Sequence, residues 1–120
     1  MNETVWETRA RQAQDALGHA LASDDPTQAV KDLSEANRAV EEALREAMAA
    51  AVLDGASMRK VAEVAGIAPN SVPPRLARTK PLAPYTRDGS VTADMIAVAR
   101  HDAATGRTPM VFTPRRKDSK

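Results

Sequence analysis

The chain has 120 residues, 16 acidic and 17 basic, with two histidines, three aromatic residues and no cysteine. That length holds one domain, or a small domain with an arm, and the missing cysteine excludes a disulfide framework and a thiolate metal site. No apolar run approaches the ~20 residues of a membrane span and no basic-then-apolar leader opens the sequence, so a cytoplasmic protein with no membrane partner is expected.

With so few aromatic residues the core must come from Ala, Val, Leu, Ile and Met, and such small side chains favour self-association. The net charge of +1 conceals a division. Residues 1–54 carry eleven acidic and five basic side chains, and residues 55–120 carry five acidic and twelve basic. An acidic module joined to a basic one suits a nucleic-acid-binding protein.

In chain order, Thr4 and Glu7 form a capping-box pattern that predicts a helix from Val5. Trp6, Ala10, Ala13, Leu17 and Ala20 recur in steps of three and four, a single apolar stripe. Ser23-Asp24-Asp25-Pro26 stops that helix and starts the next, with Asp25 as N-cap, Pro26 at the first helical position and Gln28 completing a second box. Nothing interrupts the second helix before about Leu53, giving it a length of ~40 Å.

Along it, Val30, Leu33, Asn37, Val40, Leu44, Ala47 and Ala51 alternate in steps of three and four, the mark of nearly parallel or antiparallel helix packing. Residues 1–46 therefore predict a helical hairpin that dimerises through Trp6, Leu17, Val30, Leu33, Asn37, Val40 and Leu44 in a four-helix arrangement. Asn37 would fix register and oligomer number by pairing with a partner. The alternative is a seam that packs only on its own first helix, with Asn37 near water.

Gly55 ends the long helix, and Ser57 caps a short one, Met58 to Ala65, with Gly66 at its turn. Ala62, Gly66 and Val72 have the character and spacing of a helix-turn-helix. A small residue lets the second helix cross closely, glycine takes a positive φ at the turn, and an apolar side chain fills the wedge beside Val61, Ala65 and Ile67. The run Val61-Ala-Glu-Val-Ala-Gly-Ile67 is similar to the start of the DNA-binding segment in lactose-repressor-type regulators.

The resemblance covers Ser57 to Leu76, about one sixth of the chain. It implies that residues 47–80 form a tri-helical unit that binds double-stranded DNA. It further implies base-facing positions at Ala68, Pro69, Asn70, Pro73 and Pro74, flanked by Ser57 and Ser71. Asn70 alone among these can pair bidentately with adenine. Arg59, Lys60, Arg75, Arg78 and Lys80 would grip phosphates. Pro73 and Pro74 depart from the pattern, which has a continuous helix there. Their missing N–H groups predict a kink or stop, with Val72 driven toward an extended conformation.

Residues 81–108 predict a loop, Pro81 to Gly89, then an accessory helix capped by Thr92. That helix runs from Ala93 to about Ala104, turns Met95, Ile96, Val98 and Ala99 toward the core, and ends at Gly106. Residues 109–120 read as a disordered basic tail. In it Pro109 to Phe112 makes a short strand or anchor, and Arg115, Arg116 and Lys117 follow the phosphate backbone.

His19 and His101 stand apart, and no nucleophile elbow or phosphate-cradling loop occurs. No catalytic residue, metal, cofactor or small-molecule effector domain is expected. The sequence thus predicts an all-α, dimeric DNA-binding protein, a transcriptional repressor or a plasmid- or phage-type site-binding factor. The alternative is a protein-interaction adaptor whose helix-turn-helix-like unit no longer reads DNA.

Overall fold

The computed structural model describes residues 3–106. It is all-helical, with five α-helices: α1 (Val5–Ala22), α2 (Pro26–Leu53), α3 (Met58–Ala65), α4 (Val72–Ala77) and α5 (Ala93–Thr105). Two single 3-10 turns, Pro69–Ser71 and Ala83–Tyr85, supplement them. The one extended pairing among the described residues is an isolated antiparallel bridge between Arg87 and Ser90. No described helix is long and apolar enough to cross a membrane. The expected strand or anchor at Pro109 to Phe112 and the basic tail lie outside the described residues.

Local chemistry sets the helix ends. Thr4 and Glu7 close a reciprocal capping box: the Glu7 N–H donates to Thr4 Oγ1 at 3.1 Å, and the Thr4 N–H donates to Glu7 Oε1 at 2.8 Å. The bond from the Thr4 amide, with that from its hydroxyl, holds the Glu7 carboxyl below its ordinary range. Asp25 Oδ1 accepts from the Thr27 N–H at 3.1 Å and caps α2. The second expected box does not close. Gln28 points forward instead, and its amide donates to the buried Asp32 at 3.2 Å.

At the other end of α2, Gly55 takes φ 119°. Its N–H bonds the Val52 carbonyl and that of Ala56 bonds the Ala51 carbonyl, the paired pattern that satisfies a helix terminus.

The chain divides after Ala47 into two compact units. In the first, α1 packs on α2 through alanines: Ala13 and Ala16 are buried on α1, Ala36 and Ala39 on α2. An ion pair between Arg9 Nε and Glu42 Oε1, 3.4 Å apart, links the two helices. The large apolar side chains stay outside this spine. Trp6 and Leu17 were expected to share a stripe with Ala13, yet they are 39% and 44% exposed, and Val30, Leu33 and Val40 are exposed as well. Alanine faces let two helices approach closely, and that approach leaves bulkier neighbours on the flank.

The second unit starts with the last turns of α2. Met48, Ala49 and Val52 are buried there, as are Val61, Ala62, Val72, Leu76, Leu82, Tyr85, Val91, Ile96 and Ala99. Two long-range polar contacts fasten α5. Arg100 Nε donates to the Val52 carbonyl at 2.9 Å and Nη2 to the Ala56 carbonyl at 3.0 Å. A cation is thereby set on the carbonyl end of α2, where it is electrostatically favoured.

The Tyr85 hydroxyl donates to the buried Asp102 carboxylate at 2.7 Å. Burial and this bond push the tyrosine up to about 12. The segment Pro81 to Gly89, expected as a plain loop, therefore contributes Leu82 and Tyr85 to the core. On α5 the inward line is Ile96, Ala99 and Asp102, whereas Val98, expected inside, is exposed.

Candidate functional site

The segment Ser57 to Lys80 gathers most of the expected site residues. Ser57 Oγ accepts from the Lys60 N–H at 3.0 Å, so this serine serves as the N-cap of α3. Gly66 closes α3 with φ 74° and ψ 31°, and the Ile67 N–H reaches the Ala62 carbonyl at 3.0 Å. A left-handed residue at this point turns the chain back, so that α3 touches both the Pro69–Ser71 turn and α4. Ala62 and Val72 are fully buried, and Val61 and Leu76 close the same small core.

The proline pair behaves differently from the expectation. Neither a stop nor an extended Val72 occurs: Val72 is helical at φ −72° and ψ −49°, and the prolines lie in the first turn of α4. The first-turn N–H groups of α4 have no acceptor within α4 itself, so the prolines interrupt none of its own bonds, and their fixed φ is already helical. The preceding residues close as a 3-10 turn. There the Ser71 N–H bonds the Ala68 carbonyl at 2.9 Å, and the Val72 N–H bonds that of Pro69. Those bonds hold Val72 against the usual pre-proline bias. The segment Pro69 to Ala77 is thus helical throughout, in two pitches.

Ala68, Pro69, Asn70 and Pro74 are exposed, while Ser71 and Pro73 are half-buried. Arg59, Lys60, Arg78 and Lys80 present exposed cations, with Lys60 Nζ 3.9 Å from Glu63 Oε1. Arg75 is half-buried and folds back over the 3-10 turn, its Nη1 donating to the Ser71 carbonyl at 3.4 Å. Between Ser57 and Lys80 there are five cations and one carboxylate, Glu63. Sequence reasoning passed over Val64, an apolar residue 75% exposed on α3. Its one signal was its place off the inward line of Val61 and Ala62.

The N-terminal hairpin presents two unlike grooves. One, of about 520 Å³, is lined by Trp6, Ala10, Leu17, Val40 and Ala43 among others, so residues expected at an interface from both helices meet there. The other, of about 490 Å³, is polar and includes Arg9, Asp15, His19, Glu35 and Arg38. Val30, Leu33 and Asn37 are exposed on α2 and Leu44 is half-buried. Among the described residues, no group of three or more His, Asp or Glu side chains is placed to hold a metal ion. Arg115, Arg116 and Lys117 lie outside the described residues. No family model, curated protein or solved structure matches this chain.

Proposed function

We propose that the chain is a cytoplasmic, homodimeric helix-turn-helix protein that binds double-stranded DNA. It would act as a transcriptional repressor or a plasmid- or phage-type site-binding factor. The observation that carries this reading is the turn at Gly66 with Ala62 and Val72 buried beneath it, which leaves Asn70 and a set of cations on the outside. Arg59, Lys60, Arg78 and Lys80 supply sequence-independent attraction to phosphates. Asn70 supplies base readout through its amide. The adaptor reading drew its force from prolines that break a helix. In the first turn of α4 they break nothing, and that reading loses its argument.

The test is fluorescence polarisation with genomic DNA fragments at two salt concentrations. Four phosphate contacts per reading head, and so eight per dimer, weaken binding roughly 10⁴-fold between about 50 and 200 mM salt. Asn70→Ala should cost ~1–3 kcal/mol on a preferred site and close to nothing on random DNA. Absence of binding at low salt would sink the DNA reading, and equal loss on both DNAs would make Asn70 structural.

A further inference from the structure

The joint between α2 and α3 contributes no fully buried side chain: Asp54, Gly55 and Ser57 are exposed and Ala56 is half-buried. Gly55, at φ 119°, has no side chain to limit its backbone. Packing within the joint therefore does not fix its conformation. Hydrogen bonds do, and Arg100 of α5 makes two of them. We propose that Arg100 is a positioning residue for DNA binding, which holds the start of α3 against the end of α2 and so places Arg59 and Lys60 on the phosphates. The inference rests on the DNA reading proposed above and adds to it a residue outside Ser57 to Lys80.

Nε and Nη2 form one edge of the planar guanidinium, and that edge spans the joint. Nε donates to the Val52 carbonyl at 2.9 Å and Nη2 to the Ala56 carbonyl at 3.0 Å. Val52 lies in the last turn of α2, and Ala56 immediately precedes Ser57, the N-cap of α3. The Val52 carbonyl also accepts from the Gly55 N–H at 3.1 Å, and the Ala56 N–H donates to the Ala51 carbonyl at 3.0 Å. Ala56 is thus tied through both of its backbone groups.

From Ala56 the order passes along the chain. Ser57 Oγ accepts from the Lys60 N–H, and the Ser57 carbonyl accepts from the Val61 N–H. Arg59 and Lys60 stand in that first turn of α3. Arg100 is itself half-buried, with one edge of its guanidinium on carbonyls, so it acts through the backbone of α3 rather than by touching a phosphate. A lysine would keep the cation but not the contact, because a compact ammonium lacks the planar fork.

The test compares the full-length wild type with Arg100→Met, which keeps an unbranched apolar stem. Arg100→Lys takes its place in every comparison if the methionine variant does not fold. Tyr85→Phe is the control, since it also removes a polar contact to α5, but one made by the chain after α4. Without DNA, amide hydrogen exchange at Ala56, Lys60 and Val61 should be roughly tenfold faster in Arg100→Met, with Arg78 and Thr79 unchanged. With DNA, fluorescence polarisation is followed from about 50 to 200 mM salt. Two of the four phosphate contacts per reading head should be lost, so the slope of log affinity on log salt should fall to about half. Tyr85→Phe should keep the wild-type slope. In an Arg59→Ala, Lys60→Ala background, Arg100→Met should change the slope no further.

A wild-type slope in Arg100→Met would overturn the inference, as would unchanged exchange at Ala56 and Lys60. An equal fall of slope in Tyr85→Phe would also overturn it, since lost stability would then explain the effect. So would faster exchange at Arg78 and Thr79 alongside α3, because Arg100 would then hold the whole unit and not the joint. A wild type that binds no DNA at low salt ends the DNA reading, and this inference with it. A wild type that binds, with a slope that Arg100→Met shares, ends the positioning role alone.

Discussion

The bond from Tyr85 to Asp102 spans 17 residues and joins the chain after α4 to α5. A buried carboxylate is costly unless hydrogen-bonded, so the phenol does more than fill space. Tyr85→Phe keeps the ring and removes the donor, and should destabilise the protein by ~1–3 kcal/mol through the acceptor left behind. The pH dependence has a definite sign. The folded-state value of about 12 lies above the ordinary 10.0. Stability from Tyr85 is therefore complete below pH 10.0 and is lost as pH rises toward 12. Urea unfolding at about pH 8 and about pH 11 should show the wild type losing this contribution and the phenylalanine variant lacking that part of the loss. Equal alkaline losses in both proteins would assign the effect to other groups.

Helix ends were legible because their chemistry is local. Thr4, Ser57 and Thr92 each accept from the amide three residues on, and Gly55, Gly66 and Gly106 take the positive φ expected of helix stops. Periodicity shows which residues are apolar but not which of two neighbouring lines faces inward, so Trp6 and Leu17 went to the flank while alanines formed the spine. The Arg100 clamp and the Tyr85 bond were illegible for another reason: each joins residues far apart in sequence with no local pattern.

Pro73 and Pro74 are ambiguous in sequence because proline breaks a helix interior yet starts a helix, and the difference depends on whether the α-helix begins at Pro69 or at Val72. Replacing both with alanine restores N–H groups that can bond the Pro69 and Asn70 carbonyls. The 3-10 turn should then join α4 as one α-helix, moving Asn70, while the surface cations stay in place. The expected outcome is an unchanged salt slope with altered discrimination between DNA sequences. Complete loss of binding at low salt would mean that the prolines themselves shape the docking surface.

At the scale of the whole chain, charge and apolar surface are sorted along the sequence. Residues 1–54 hold eleven of the 16 acidic side chains, and among the described residues most large exposed hydrophobics also lie there. The basic side chains concentrate beyond residue 54. An acidic hairpin has little attraction for DNA and an apolar flank to cover, which suits a pairing module better than a reading one. In the proposed homodimer, Asn37 would trade stability for a fixed oligomer number. Asn37→Val would extend the apolar seam from Leu33 to Val40 and remove the one group that demands a matching amide. Thermal stability should rise, because a polar group that pairing would bury is replaced by an apolar one. The sedimentation profile should broaden from a dimer into a mixture of oligomers, since nothing then fixes register. A variant that stays a single sharp species with unchanged stability would place Asn37 in water and outside the interface.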